Sequence, residues 1–424
     1  MKRKWLLVPM AMVLSVAQLA PAKSATLDSI SDKISISAQV RVRPEFRKDL
    51  TQTLPATPGA VEEDFSTLLR SRIGFKFDPT ENISFFFQGQ DSRDFGEEVA
   101  SLPTAAGDDE GLDLHQGYID FLDIGGSNFS FRIGRQEIVL GDMRLVGNTD
   151  WSNFGRAFDG GRIDYDGENF KSTLFATAFN RTTAGDSTWF GGLYNTWKNF
   201  PSGVLDVYYF LMQDNDGAAG VAAGTGNTLS VHTVGARIKS DPGKFDLGAE
   251  GAAQFGKFGS NSIFAFAGHG HVGYTFTEHL KPKLLLEYNY ATGDDGANNR
   301  YTKFNNLAPT NHNKYGYADL VTWSNMHDGR VEFSMVPGEK WKASVDYHLF
   351  MVDKKVGDTF AGIAGAAGIG KIAGHEGDLT VAYTVNEYAT LQAGYSLFLP
   401  GAYLKDQGID KFSSFAYLQA DAHF

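Results

Sequence analysis

Between Gly134 and Tyr165 the chain reads GRQEIVLGDMRLVGNTDWSNFGRAFDGGRIDY. The stretch holds four arginines (Arg135, Arg144, Arg156, Arg162), six glycines and five carboxylates (Glu137, Asp142, Asp150, Asp159, Asp164). Such a density of charge could serve acid–base catalysis, phosphate binding or a fixed electric field. The glycines follow neither the GxGxxG nor the Walker spacing and read as turn and bulge residues. No GxSxG elbow occurs, and no Ser, His and Asp cluster as a hydrolase would need. His269 and His271 lie two apart on one strand face, a spacing that could hold a metal, but no third ligand stands near them. His115, His232, His279 and His312 are scattered. Gly293-Asp294-Asp295-Gly296 could bind calcium, yet reads more simply as a solvated turn. The expectation is no enzyme, no cofactor and no metal, but arginines whose use is electrostatic.

The chain that must position them has 424 residues, 48 of them Gly, and no Cys. Met1-Lys2-Arg3-Lys4 precedes an apolar run from Trp5 to Ala20, and Ala20-Pro21-Ala22 fits a small-x-small cleavage site. Residues 1–22 therefore read as a signal peptide, and 23–424 as the exported domain. An exported chain without Cys has no disulfide framework and no thiolate metal site. The net charge of −12 becomes −15 when Lys2, Arg3 and Lys4 leave with the leader, which argues against nucleic acid as a partner.

Apolar and polar residues alternate nearly everywhere. Ile34, Ile36, Ala38, Val40 and Val42 alternate with Ser35, Ser37, Gln39, Arg41 and Arg43. Leu284, Leu286, Tyr288 and Tyr290 alternate with Lys283, Glu287 and Asn289. Runs of about ten such residues suit tilted strands that cross a bilayer. Short Asp/Asn/Gly/Pro turns at 78–82, 123–127, 166–169, 199–203, 240–244, 276–280, 336–340 and 385–388 alternate with connections that are usually longer, such as 47–65, 138–156, 293–316 and 352–373. Eight short turns and nine longer connections join 18 strands, an even number that returns both termini to one side. In the last strand Phe412, Ala416, Leu418, Ala420, Ala422 and Phe424 share one face. The expected fold is all-β: a transmembrane antiparallel up-and-down barrel of about 18 strands with long extracellular loops. A soluble sandwich or propeller would need a second layer, and no blade-sized repeat occurs.

In such a barrel the apolar set faces lipid and the polar set faces the lumen. Inward cations are then Arg41, Arg43, Arg70, Arg72, Lys76, Arg132, Arg237, Lys239, Lys281, Lys283, Arg330 and Lys342. Inward carboxylates include Asp206, Glu287, Glu332, Asp346, Asp378 and Asp421. Rings of Arg and Lys select anions, although lumen arginines can also simply brace the wall through carboxylates.

The segment GRQEIVLGDMRLVGNTDWSNFGRAFDGGRI resembles a hallmark of the alginate export family of outer-membrane barrels. LLLEYNYATGDDG, then PTNHNKYGYADLVTWSN, are similar to further family segments, as GYSLFLPGAYLKDQG and FAYLQADAHF are to its ending. The resemblance covers most of the mature chain. It implies an 18-stranded barrel that passes an alginate-like anionic polysaccharide through an Arg/Lys-lined constriction balanced by carboxylates. Carried onto this sequence, the constriction residues are Arg135 and Arg156, with Arg70, Arg72 and Arg162, and Glu137 and Asp142 in the same segment. Asp159 is read as a further supporting carboxylate, and loops 138–156 and 352–373 as gates or plugs.

The expected protein is an integral outer-membrane channel for anionic polysaccharide or small anions. Its partners would be the bilayer and lipopolysaccharide, the barrel-assembly machinery and periplasmic secretion proteins. Alternatives are a general or phosphate-type anion porin, and a barrel scaffold for an electron-transfer partner.

Overall fold

The computed structural model describes residues 31–49, 63–96, 111–179, 188–214, 228–296 and 299–424. The expected leader lies outside the described residues. Eighteen long strands follow one another: β1 (Ile34–Lys48), β2 (Glu63–Thr80), β3 (Ile83–Phe95), β4 (Gly111–Phe121), β5 (Phe129–Gln136), β6 (Phe158–Asp166), β7 (Phe170–Phe179), β8 (Thr188–Phe200), β9 (Gly203–Asp214), β10 (Leu229–Ser240), β11 (Phe245–Phe258), β12 (Asn261–Thr275), β13 (Lys283–Ala291), β14 (Met326–Gly338), β15 (Trp341–Val352), β16 (Ile372–Asn386), β17 (Ala389–Pro400) and β18 (Ser413–His423). Each pairs antiparallel with the next, and β1 also pairs with β18, Gln39 opposite His423, so the sheet closes on itself. The Phe424 and Ala38 backbones exchange two hydrogen bonds at 3.1 Å across that seam. Closure leaves no strand edge unpaired, the condition for a sheet in lipid.

All eight expected short turns fall between strands at one end of the barrel. The other end carries the long connections, with one departure: β11 and β12 are joined by only Gly259 and Ser260. Loop 292–325 lends that low rim a short strand, Arg300–Tyr301, parallel to Ser262–Ile263.

The alternation has the predicted sense. Ile36 is 53% exposed, Phe87 52% and Leu418 62% on the outer face, while Arg43 and Arg70 are 1% and 0% exposed within. The outside is thus apolar because lipid solvates it, and the inside polar because water and loops do. Of the expected inward cations, Lys76 is exposed beside Asp78 and Lys281 lies in the turn after β12 rather than on a strand face. In β4 an extra residue, His115, has no opposite number between Gln88–Gln116 and Gly89–Leu114. This bulge turns the buried His115 side chain toward the lumen.

Two loops fold inward and build an apolar core inside the barrel. Loop 137–157 contributes Ile138, Leu145 and Val146, and loop 292–325 contributes Phe304, Ala308, Tyr315, Val321 and Trp323. They meet in a parallel bridge between Val146 and Ala308, reinforced by Gly147 N–H to Ala308 O at 2.8 Å and Thr310 N–H to Met143 O at 2.9 Å. Loop 353–371, the other expected gate or plug, joins the same apolar core through Phe360, which packs against Phe398 and Tyr403.

Two glycines make the wall beside loop 137–157 possible. Gly134, at φ +130°, faces Gly160 across β5 and β6. A Cβ at Gly134 would lie 2.2 Å from the Gly117 carbonyl oxygen, and one at Gly160 2.2 Å from that of Ala176. Both obstacles are backbone and cannot rotate away. Gly134→Val is expected to destabilise the barrel by about 1–3 kcal/mol. The loss would be read as a lower melting temperature and less heat-resistant folded band on unboiled gels. Gly251→Ala, with open space around it, should be close to neutral.

Candidate functional site: a loop-constricted lumen

The inward faces of β1 and β2 set Arg41 opposite Arg70, with Arg43 and Arg72 as neighbours. Four guanidiniums so close would repel one another unless anions or carbonyl dipoles separated them. Loop 137–157 supplies both. Arg41 donates to the carbonyls of Asp150 (2.6 Å), Trp151 (3.2 Å) and Ser152 (2.7 Å). Arg43 donates to Trp151 O at 2.8 Å, and Arg70 to Asp150 O at 3.0 Å. Arg72 reaches Phe154 O and the Asp150 carboxylate, the latter at 3.1 Å. Gln90, Ser92 and Asn153 complete the attachment, Asn153 donating to Leu69 O and Arg93 O. Burial alone would push the Asp150 carboxyl up; Arg70, Arg72 and Arg41 outweigh it and hold it below the usual carboxylate range. The latch therefore keeps its full charge above that ordinary range, and loses it only as pH falls through the depressed value.

Trp151 is the wedge of this attachment. The Arg43 guanidinium lies 3.7 Å over one indole face, and the His312 ring stacks on it at 3.6 Å and 6°. His312 belongs to loop 292–325, so this stack joins the arginine row to both loops. Arg156 links the loops as well, donating to Gly147 O (3.2 Å) and Pro309 O (2.8 Å). At the loop's base Glu137 accepts from Asn148 at 3.0 Å and sits 2.7 Å from His115 Nε2.

The other sequence-predicted residues are arranged differently. Arg132 and Arg162 oppose each other on β5 and β6, each at 2.6 Å from its own carboxylate, Asp120 and Asp164. They line a cavity of about 360 Å³ with Lys171, Tyr194 and the Val139–Gly141 segment. Arg135 is held most loosely: Asp113 at 3.8 Å and Asp159 at 3.7 Å are ion-pair partners without hydrogen-bond geometry, and its buried Nε has no partner.

Beyond Gly141 a second cavity of about 580 Å³ opens. Its lining brings together seven cations (Arg144, Arg237, Lys239, Lys283, Lys314, Arg330, Lys342) against four carboxylates (Asp142, Asp246, Glu287, Glu332), with His269 and His271 beside them. Arg144 is tied to Glu287 at 2.9 Å, to Asn289 and to the Tyr315 hydroxyl. Arg330 holds Glu287, Glu332 and Asp346. Lys342 has no carboxylate partner among the described residues, and Lys239 only Asp241 at 3.9 Å. Burial lowers Lys314 below the ordinary lysine range despite Asp142 at 3.5 Å. Burial would raise Asp142, but Lys314 and Arg144 outweigh it and keep it low. His269 and His271 bond to each other at 3.0 Å, and among the described residues no group of three or more candidate metal ligands forms.

Lys314, Tyr315, Trp151 and His312 are central here and were not singled out for these roles from sequence. Trp151 lay inside the hallmark segment, but no local pattern marks a loop that turns into a lumen.

A closed wall, an apolar outer belt and a charged, loop-narrowed bore define a channel-type barrel of the outer membrane. The chain belongs to the Alginate export family, whose profile matches residues 32–416. No curated protein matches the sequence significantly. Solved barrels with a similar fold include Pseudomonas aeruginosa OpdO (TM-score 0.63, 11% identity, 94% of this chain and 98% of that one). Acinetobacter baumannii OccAB1 is similar at TM-score 0.62 and 13% identity, covering 93% and 97%. Pseudomonas aeruginosa OccK2 (OpdF), solved in complex with glucuronate, is similar at TM-score 0.58 and 11% identity, covering 93% and 99%.

The Trp151 wedge can be tested directly. Trp151→Ala removes an aromatic stack and a cation–π contact, together worth about 1–2 kcal/mol. Hydrogen exchange at residues 149–154 is expected to rise roughly tenfold in the folded barrel, with noisier single-channel current. Unchanged exchange would mean that the carbonyl bonds alone hold the loop.

Proposed function

We propose that this protein is an anion-selective channel for uronate-type carboxylates and short anionic saccharides. The observation that carries the reading is the 580 Å³ cavity lined by seven cations and four carboxylates, with Lys342 lacking a carboxylate partner among the described residues and Lys239 only 3.9 Å from one. In a low-dielectric wall such an excess focuses the field and concentrates anions. Arg41, Arg43, Arg70 and Arg72 have donors committed to the loop and to wall partners, so the cations held loosely enough to meet a passing carboxylate are Arg135, Lys239 and Lys342. Arg156 acts by joining the two loops, and Glu137, Asp142 and Asp159 keep neighbouring cations in place. Membership of the Alginate export family supports an alginate-like cargo, and the glucuronate complex of OccK2 supports a uronate for a barrel of this shape. No step of transport calls for catalysis.

The two inward loops favour short solutes over a long polymer. Their shared apolar core occupies lumen that a continuous polysaccharide chain would need.

Planar-bilayer recording under a salt gradient tests the reading. Wild type should show a reversal potential of anion-selective sign and concentration-dependent block by glucuronate. Arg135→Gln with Lys342→Gln should lower anion selectivity several-fold while leaving the heat-resistant folded band intact. Cation selectivity in the wild type would sink the proposal. As pH rises, Lys314 should discharge before an ordinary lysine, because burial lowers it. Selectivity should then fall in two stages, and Lys314→Arg should remove the earlier one.

A further inference from the structure

Away from the arginine row, two carboxyl groups are buried together without a cation. Glu376 and Asp378 stand two apart on the inward face of β16, 0% and 2% exposed. Glu376 Oε1 accepts from Ala318 N–H at 2.8 Å. Glu376 Oε2 and both Asp378 oxygens have no hydrogen-bond partner. The buried Ser396 hydroxyl, whose residue lies opposite Asp378 on β17, has none either. The two carboxyl groups lie within hydrogen-bonding reach of each other. As two carboxylates both could only accept, and their contact would be repulsive.

The surroundings do not relieve that repulsion. On β15, Asp346 lies opposite Asp378 and His348 opposite Glu376. Arg330 donates to one Asp346 oxygen at 2.7 Å and the other is unpartnered, while His348 is 3.0 Å from Asp328. On β17 the opposite residues are Ser396 and Phe398. Loop 292–325 adds a further carboxylate, Asp319, which pairs with His312 at 2.9 Å. The remaining titratable neighbours are the phenols of Tyr317 and Tyr417. The same loop seals the pair. A Cβ at Gly316 would lie 2.4 Å from Glu376 Oε1 and 2.6 Å from Oε2, so its backbone already closes over the carboxyl. That leaves little space for a hydrated ion, and among the described residues no three metal ligands converge. The cation that fits between two such oxygens is a proton.

We propose that Glu376 and Asp378 share one proton, and that this pair is a clasp that seats loop 292–325 in the bore and lets it go when the proton leaves. With the proton in place one carboxyl donates to the other, and the single remaining charge accepts from Ala318. As pH rises and the proton is lost, the pair gains a second buried charge with no counter-ion. Asp346 and Asp319 add to the repulsion. Gly316, Ala318 and Asp319 all belong to the loop, so its departure relieves the strain. The clasp is independent of what the lumen conducts.

The test uses the full mature barrel, in a Lys314→Arg background so that discharge of Lys314 does not contribute. Infrared difference spectra at neutral pH, wild-type pair minus Asp378→Asn, should show the carbonyl stretch of one protonated carboxyl. Hydrogen exchange at residues 315–319, compared between variants at matched pH, should rise about tenfold or more between neutral and alkaline pH for the wild-type pair. Asp378→Asn and Glu376→Gln each supply a permanent amide donor, so both should keep the loop protected throughout and retain the heat-resistant band. Absence of the protonated-carboxyl band would overturn the proposal. So would alkaline loss of protection that persists in Asp378→Asn, or a calcium ion that native mass spectrometry finds on the wild-type pair and that a chelator removes.

Discussion

The structure of the lumen depends on one interaction: a row of wall guanidiniums donating to the backbone carbonyls of residues 150–154. Arg41, Arg43, Arg70 and Arg72 belong to two adjacent strands, and their mutual repulsion is unfavourable in a buried setting. The carbonyl oxygens of Asp150, Trp151 and Ser152, with the Asp150 carboxylate, relieve that repulsion. Charge-assisted hydrogen bonds of this kind contribute roughly 1.5–3 kcal/mol each. The same bonds satisfy backbone groups that loop 137–157 would otherwise bury unpaired. Neither partner is stable in this arrangement without the other. Loop 292–325 then adds its own contacts, through Val146–Ala308, Arg156–Pro309 and the Trp151–His312 stack.

This division separates two uses of positive charge in one bore. Cations facing loop carbonyls are structural, because their donors are engaged. Of the cations facing the larger cavity five are paired with carboxylates, while Lys342 and Lys239 keep donors in reserve. An acidic protein can therefore carry many buried cations: the arginines are balanced locally, by loop carbonyls in one part of the bore and by carboxylates in the other.

The barrel was legible in the sequence because its grammar is local. A period of two sorts Ile36 from Arg41 without any knowledge of partners, and Asp/Gly/Pro clusters mark the short turns. The inward placement of Arg41, Arg43, Arg70 and Arg72 followed from that register alone. What those arginines touch did not follow, since their acceptors are main-chain carbonyls that every sequence possesses. The inward turn of loop 292–325 was equally hidden. Phe304, Tyr315 and Trp323 look like any loop aromatics until a second loop is present to cover them. The His115 bulge shows the limit of register counting, because one extra residue re-aims a side chain with no mark in composition.

The attachment of loop 137–157 has a mechanical corollary. Its two ends emerge from β5 and β6, which are hydrogen-bonded neighbours in the wall. Both ends are therefore moored at almost one point, with Trp151 far out along the span. Such an element is built as a tethered flap rather than a free stopper. Beyond its mooring only the arginine–carbonyl bonds and the bridge to loop 292–325 fix its position, so its place in the bore is set by side chains of the far wall and by a second loop.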